Sequence, residues 1–372
     1  MQIGVPVETF PGESRVAATP ETVKKYVKAG HQVVVQKGAG LAASCTDEAY
    51  AEAGAKLGTA QEAFASELIL KVRAPSEAEM SSISPGQVVL GMLDPHNGER
   101  LQSLARSGAV GFALEAAPRI TRAQSLDVLS SQANLAGYKA VLLAAQYYGR
   151  IFPMMMTAAG TLKAAQVVVL GAGVAGLQAI ATARRLGAVV WASDVRPSAK
   201  EQVESLGGKF IDVPFESDEE REIAEGVGGY ARPMPKSWMD RQAALTAQRC
   251  AQADIVITTA LIPDRPAPAL ISEETVRSMK PGSVIVDLAV ERGGNCPLSV
   301  AGEVVQKHGV TLVGLTNLPS MIAADASALY ARNLLDFLKL IIDGEGKLAI
   351  QKEDEIVKAC LVCEGGQILW GK

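Results

Sequence analysis

From Val167 to Asp194 the chain reads VVVLGAGVAGLQAIATARRLGAVVWASD, and this stretch restricts the possible folds more than any other. Its β-branched opening predicts a buried strand and LQAIATARRLG predicts a helix. Between them Gly171, Gly173 and Gly176 fall on the spacing G-x-G-x-x-G. Each glycine has a task there: a tight turn, an approach of backbone to pyrophosphate that no Cβ allows, and close contact of helix with strand. The phosphates would rest on the helix N-terminus, which Val174 and Ala175 open. The following run, AVVWASD, ends in Asp194, 18 residues past the last glycine, where a carboxylate accepts hydrogen bonds from ribose hydroxyls. Strand, glycines, helix and acid together predict a dinucleotide site that includes Val195 and Arg196. The acid would repel a 2′-phosphate and so favours NAD(H) over NADP(H), whereas Arg196 is a residue type that accepts one.

Such a unit does not account for 372 residues, which is long for one core, so two domains are expected. Apolar runs alternate with helix-like segments from the start, as HQVVVQ, ELILKVRAP, QVVLGML and AVGFALE. A long Ala/Leu-rich helix is predicted over Ser130–Gly149, and the alternation then begins afresh with QVVVLGAG, AVVWASDV, KFIDVP, DIVITTAL, SVIVDLAV and VTLVGLTN. A second long helix over Ser327–Ile342 would cross back to the first domain. The expected architecture is α/β: two Rossmann-like, doubly wound parallel-sheet domains with a cleft between them. The first comprises residues 1–135 and 320–372; the nucleotide-binding one spans 136–319. Turns after the later strands would line the rest of the crevice, with Thr259, Ala260 and Leu261 in one and Glu291, Gly293 and Asn295 in another.

With 36 basic against 40 acidic residues, the net charge of -4 gives no pull toward nucleic acid or an anionic membrane surface. Ala164–Ala183 is uncharged, but its β-branched start and glycine-rich middle read as strand, turn and helix, so no membrane insertion is expected. MQIGVPVETFPGESR has charges and prolines where a signal peptide needs an apolar region. The five cysteines are expected to be free thiols of a reducing cytosol. Cys360 and Cys363 form a C-x-x-C that reads as a short strand before a Gly-Gly turn, and with the three histidines far apart no metal site is expected.

Pro118–Ala140, PRITRAQSLDVLSSQANLAGYKA, concentrates Arg119, Arg122, Gln124, Asp127, Ser130, Ser131, Gln132 and Asn134 in little more than a turn and a helix start. A dehydrogenase acting on an alcohol or amine needs a placed acid or base, usually His or Lys. His31 and His308 read as structural, and His96 in a loop is the better candidate. The polar cluster orients and polarises but shuttles protons poorly. Hydride transfer between two nicotinamides moves no proton, so it needs only two rings held face to face with water excluded. Capping explains the same residues equally well: T-R-A-Q is a capping box, and Ser130 or Ser131 could cap the long helix.

Over essentially its whole length the chain resembles the NAD(H)-binding component, domain I, of the proton-translocating nicotinamide nucleotide transhydrogenases. The matching segments are GVPVETFPGESRVAATP, RITRAQSLDVLSSQANLAGYKAV, GAGVAGLQAIATARRLGA with ASDVRP, VDLAVERGGN and NLPSMIAADASALYARN. The resemblance implies that Arg119, Gln124, Asp127 and Ser130 contact the nicotinamide and its ribose, and that Tyr230, in ESDEEREIAEGVGGYARPMPKSWMDRQ, closes over the nucleotide from a mobile loop. It implies NAD(H) on this chain, NADP(H) on a partner domain, a homodimer, a membrane-spanning component that couples transfer to proton movement, and a cytoplasmic position at the membrane's inner face. Alanine dehydrogenases share the start, the fingerprint and the two domains. Their K-V-K-E-P appears here as KVRAP, with Arg73 in place of the substrate lysine, and the histidine they place after the next strand is missing from GMLDPHN at the matching spot. A regulatory module without chemistry would not require the Arg119–Ser130 cluster.

Overall fold

The computed structural model describes residues 1–196, 198–225, 234–261 and 266–371. The chain forms two compact units, Met1–Gln132 with Pro319–Lys372, and Ala133–Leu318. In chain order, the strands β1 (Gln2–Val5), β2 (Gln32–Gln36), β3 (Lys56–Gly58), β4 (Leu68–Arg73), β5 (Val88–Met92) and β6 (Val110–Ala113) come first. Helix Val128–Tyr147 then leads to the second unit. There follow β7 (Met155–Thr157), β8 (Gly160–Leu162), β9 (Gln166–Leu170), β10 (Val189–Ser193), β11 (Lys209–Phe210), β12 (Ile255–Thr258), β13 (Val284–Asp287), β14 (Val304–Lys307) and β15 (Val310–Val313). Helix Ala323–Ile341 returns the chain to the first unit, which ends with β16 (Leu361–Glu364) and β17 (Gln367–Ile368) around Gly365–Gly366.

The first sheet has the order β17-β16-β6-β5-β4-β1-β2-β3. β1 to β6 are parallel, and β16 and β17 add antiparallel at one edge. β4 is buried on both faces, with Leu68 and Leu70 packed against Tyr330 and Phe337 while Ile69 meets Leu101 and Leu104. A parallel strand covered on both sides reads as the near-continuous apolar run seen in LILKV, broken by the paired Lys71 alone.

The second sheet has the order β11-β10-β9-β12-β13-β15-β14, antiparallel only at β14. Its interior residues alternate between faces as the two-residue period of a strand requires. Val167, Val169, Ile255 and Ile257 pack on Ala179, Ile180 and Ala183, whereas Val168, Leu170 and Val256 face Cys250 and Val276. From β9 the chain winds outward through β10 and β11, then resumes at β12 on the other side. That reversal places a crevice beyond the C-terminal ends of β9 and β12.

The first unit has the corresponding reversal between β1 and β4, but its own charges fill it. The Glu8 carboxylate accepts from the backbone N–H of Val72 at 2.6 Å and Arg73 at 3.3 Å, and lies 3.3 Å from the buried Lys71 ammonium, which also meets Glu79 at 2.9 Å. Buried charges require such pairing.

The segment Glu216–Gln242 is helical toward its two ends, over Asp218–Glu225 and Lys236–Gln252. Trp238 and Met234 bury with Val213, and Arg241 binds Glu220 at 2.7 Å and Glu216 at 2.8 Å, so apolar anchors and paired charges order the flanks. Tyr230 lies outside the described residues.

Candidate functional site

In the second unit the three glycines meet three separate constraints. Gly171 has φ +97°, and a Cβ there would lie 2.7 Å from Thr259 Oγ1. A Cβ on Gly176 would lie 1.8 Å from the Gly171 carbonyl oxygen, so helix and turn touch through bare backbone. Around Gly173 a Cβ would meet no atom within 4 Å, which leaves this backbone open to a ligand. Gly173 is also the N-cap of helix Val174–Arg185 and offers no side-chain acceptor, so the first-turn N–H groups of that helix are available to an anion. Thr259 ties β12 to this turn, donating from N to Leu170 O at 2.8 Å and from Oγ1 to Gly171 O at 2.9 Å.

Asp194 follows β10. Its Oδ2 accepts from Ala172 N at 2.8 Å and Arg196 Nη2 at 3.0 Å, and its Oδ1 accepts from Arg196 N at 2.8 Å and Arg196 Nε at 3.0 Å. The carboxylate thus braces the glycine turn, and burial leaves its side chain 7% exposed against 38% for Arg196. The pairing with Asp194 raises the pKa of Arg196 further above its already high value. Val174, at the start of the helix after β9, and Val195 and Leu261, on the loops that follow β10 and β12, expose apolar side chains.

A residue that stood out in no sequence motif organises the next two loops. Asp287, 1% exposed at the end of β13, accepts from Thr258 Oγ1 (3.1 Å), Ala289 N (3.0 Å), Asn295 N (3.2 Å) and Cys296 N (3.0 Å). Asn295 is fully buried: its Nδ2 donates to Ala260 O at 2.9 Å and Pro268 O at 2.8 Å, and its Oδ1 accepts from Ala260 N at 3.1 Å. Its amide is therefore consumed in holding Ala260 in place. Glu291 and Gly293 are exposed, and Glu291 Oε1 accepts from Asn317 N at 3.0 Å. An acid ending the apolar run SVIVD is the one sequence signal that points to Asp287.

In the first unit, Thr121–Leu126 is a 3-10 turn and Asp127 caps helix Val128–Tyr147. Asp127 Oδ1 accepts from Ser130 N at 2.9 Å, and Ser130 Oγ donates to Oδ2 at 2.6 Å. This corrects the capping expectation: the extended backbone is at Asp127, so that side chain takes the N-cap role, and Thr121 sits inside the turn. Ser131 Oγ donates to Asn333 Oδ1 at 2.8 Å, and the buried Gln132 Oε1 accepts from Arg15 Nη1 at 2.8 Å. Arg122 pairs with Asp354. Arg119 and Gln124 are exposed, and among the described residues neither makes a side-chain hydrogen bond. The segment thus divides into anchored residues and two polar groups free to meet a ligand.

The N-terminal domain profile of the alanine dehydrogenase/PNT family matches residues 4–136, and its C-terminal domain profile matches residues 140–371. The chain belongs to this family. Within it the chain sides with the transhydrogenases. It is 52% identical over 380 residues to an NAD(P) transhydrogenase alpha-subunit chain of Rhodospirillum rubrum, covering 99% of this chain and 98% of that protein. The crystal structure of transhydrogenase from Sinorhizobium meliloti superimposes with a TM-score of 0.90 at 52% identity, covering 99% of this chain and all of that one. Alanine dehydrogenase of Methanococcus maripaludis stands further off, at 30% over 376 residues, 98% of this chain and 94% of that protein.

Glu13 binds Arg15 through both oxygens at 2.7 Å and Arg73 Nε at 3.0 Å, and Arg15 is 3% exposed. His96 is exposed, with its ring edge-on to Trp370 at 5.1 Å. His31 is buried, and His308 Nε2 lies 2.9 Å from Glu273. Cys360 and Cys363 are buried thiols, the latter pushed up to about 11 by burial, which leaves them poor nucleophiles. Among the described residues no group of three or more His, Cys, Asp or Glu could hold a metal ion, and no helix is long and apolar enough to cross a membrane.

Proposed function

We propose that this chain binds NAD(H) on its second unit, with the pyrophosphate on the Gly171–Gly176 turn and the adenosine ribose at Asp194. When bound, NADH supplies a hydride from nicotinamide C4. The observation that carries the reading is the open backbone at Gly173, set at the sheet's reversal point on an uncapped helix N-terminus and braced by Asp194. Thr259, Ala260, Leu261, Glu291 and Gly293 would flank the remainder of the nucleotide, with Asn295 and Asp287 holding those loops in shape.

Arg119, Gln124, Asp127 and Ser130 would position the nicotinamide and its ribose, so that hydride passes directly to NADP+ held by a partner domain. Two observations support their role: Arg119 and Gln124 are exposed without a side-chain partner, and Asp127 is fixed by Ser130 and the helix it caps. None of the four is a proton shuttle at neutral pH, which suits a transfer that moves none. Relatives named as alpha subunits support further chains in the complex; on the resemblance alone, one of these is proposed to be a membrane component that couples transfer to proton movement and keeps this chain at the cytoplasmic face. Tyr230 is proposed, on the resemblance alone, to close over the nucleotide. The exposed β7–β8 hairpin supports a homodimer.

The test follows deuterium from NADH labelled at C4, in a mixture of the protein, an NADP-loaded partner domain, pyruvate and ammonium. Label in NADPH is expected; label in alanine would make the chain an amino-acid dehydrogenase.

A further inference from the structure

Three of the four hydrogen bonds on the Asp194 carboxylate come from a single residue two positions on. The Arg196 guanidinium lies against the carboxylate with Nε and Nη2 on different oxygens, and Nη2 also reaches the Ala172 carbonyl at 3.3 Å, so it is pinned over the glycine turn. Its fork is the geometry that grips a phosphate as readily as a carboxylate.

We infer that Arg196 is a 2′-phosphate ligand that Asp194 holds out of use, so that this ion pair, and not the repulsion of a bare carboxylate, selects NAD(H) over NADP(H). The inference rests on the reading of the second unit as the nucleotide site. A carboxylate paired at 3.0 Å with a guanidinium presents little net charge, so simple repulsion discriminates weakly. A ribose hydroxyl can share the carboxylate by donating to it. A phosphate dianion cannot donate; to be bound it must draw the guanidinium away and leave a mostly buried carboxylate with two backbone N–H groups but no counter-charge, which offsets what it gains. Neutralising residue 194 removes that cost and frees the fork at the same ribose edge.

Affinities for NADH and NADPH are to be measured by titration calorimetry on the full chain and on Asp194→Asn, Arg196→Ala and the double variant. The amide of Asn keeps an acceptor for Ala172 N–H, and Asp194→Ser with a circular dichroism check guards against a variant that fails to fold. NADPH binding is expected to tighten about tenfold or more in Asp194→Asn, and the gain to vanish when Arg196→Ala is added. A gain that survives loss of the arginine, or no gain in either neutral variant, overturns the inference while normal NADH binding by the unaltered chain leaves the site reading intact. Failure of the unaltered chain to bind NADH overturns both.

Discussion

At the scale of single residues, the proposed site separates groups left open to a ligand from those that hold others in place. Gly173 and Gly176 share a motif but not a constraint. Gly173→Ala adds a methyl where nothing lies within 4 Å, so its melting temperature should stay unchanged while NADH affinity falls about tenfold or more, because the methyl occupies the pyrophosphate's approach. Gly176→Ala drives a carbon to 1.8 Å from a carbonyl oxygen and should cost about 1–3 kcal/mol or more of stability by thermal unfolding. Equal effects of the two would contradict this division. Asp127 combines both kinds of role. Asp127→Ala should lose ~1 kcal/mol as a missing N-cap, whereas Asp127→Asn keeps the cap. The latter should slow nicotinamide-to-nicotinamide transfer far more than it weakens NADH binding, and normal single-turnover transfer would remove Asp127 from the mechanism. Gly173's task was written in the glycine spacing, whereas Asp127's choice as cap was not visible in the letters and depends on where the backbone turns extended.

At the scale of elements, the β7–β8 hairpin stands out because it pairs only with itself and every one of its strand residues is exposed. Met154 at 63%, Met156 at 74% and Leu162 at 51% keep apolar side chains in water. An isolated two-stranded hairpin is marginally stable in water, and apolar strands with unpaired edges invite association. On the proposed homodimer, Met154→Glu with Met156→Glu should therefore lower the mass to that of a monomer in light scattering without loss of secondary structure, and a dimer that persists would take the hairpin out of the proposed interface. Long buried strands such as β4, β9 and β12 were legible as apolar runs. β3, β7 and β8 were not, since three residues carry no period and their pairing is decided by neighbours.

At the scale of the whole molecule, two buried carboxyls should shape the pH dependence of stability in opposite senses. Burial alone would raise Glu13, but the hydrogen bond and charge of Arg15, with Arg73, hold it down at about 2 against an ordinary 4.5. A depressed folded pKa means stability present above about 4.5 and lost as pH falls toward about 2. Burial raises Glu115 to about 7, so the stability associated with its protonated form is full below about 4.5 and is lost as pH rises through 7. Urea unfolding midpoints from pH 3 to 8 should fall at the acid end, with Glu13→Gln flattening that limb and Glu115→Gln flattening the fall between about 4.5 and 7. Unaltered profiles in these variants would assign the slopes to other groups.

What the sequence determined by itself was the fold class and the place of the glycine turn between β9 and its helix. Strand periodicity, glycine spacing and an acid at the next strand end are local signals, written within some thirty residues of one another. The tertiary structure decided how those residues are used. Asn295 became a buried brace and not a surface contact because Ala260 and Pro268 bring their backbone groups to its amide. Glu13 binds Arg15 and Arg73, 60 residues apart from the latter along the chain, because β1 and β4 are neighbours. Asp194 and Arg196 are two letters apart, yet their pairing depends on a guanidinium held over Ala172. Burial and long-range partners set the state of a side chain, and neither is carried by its position in the chain.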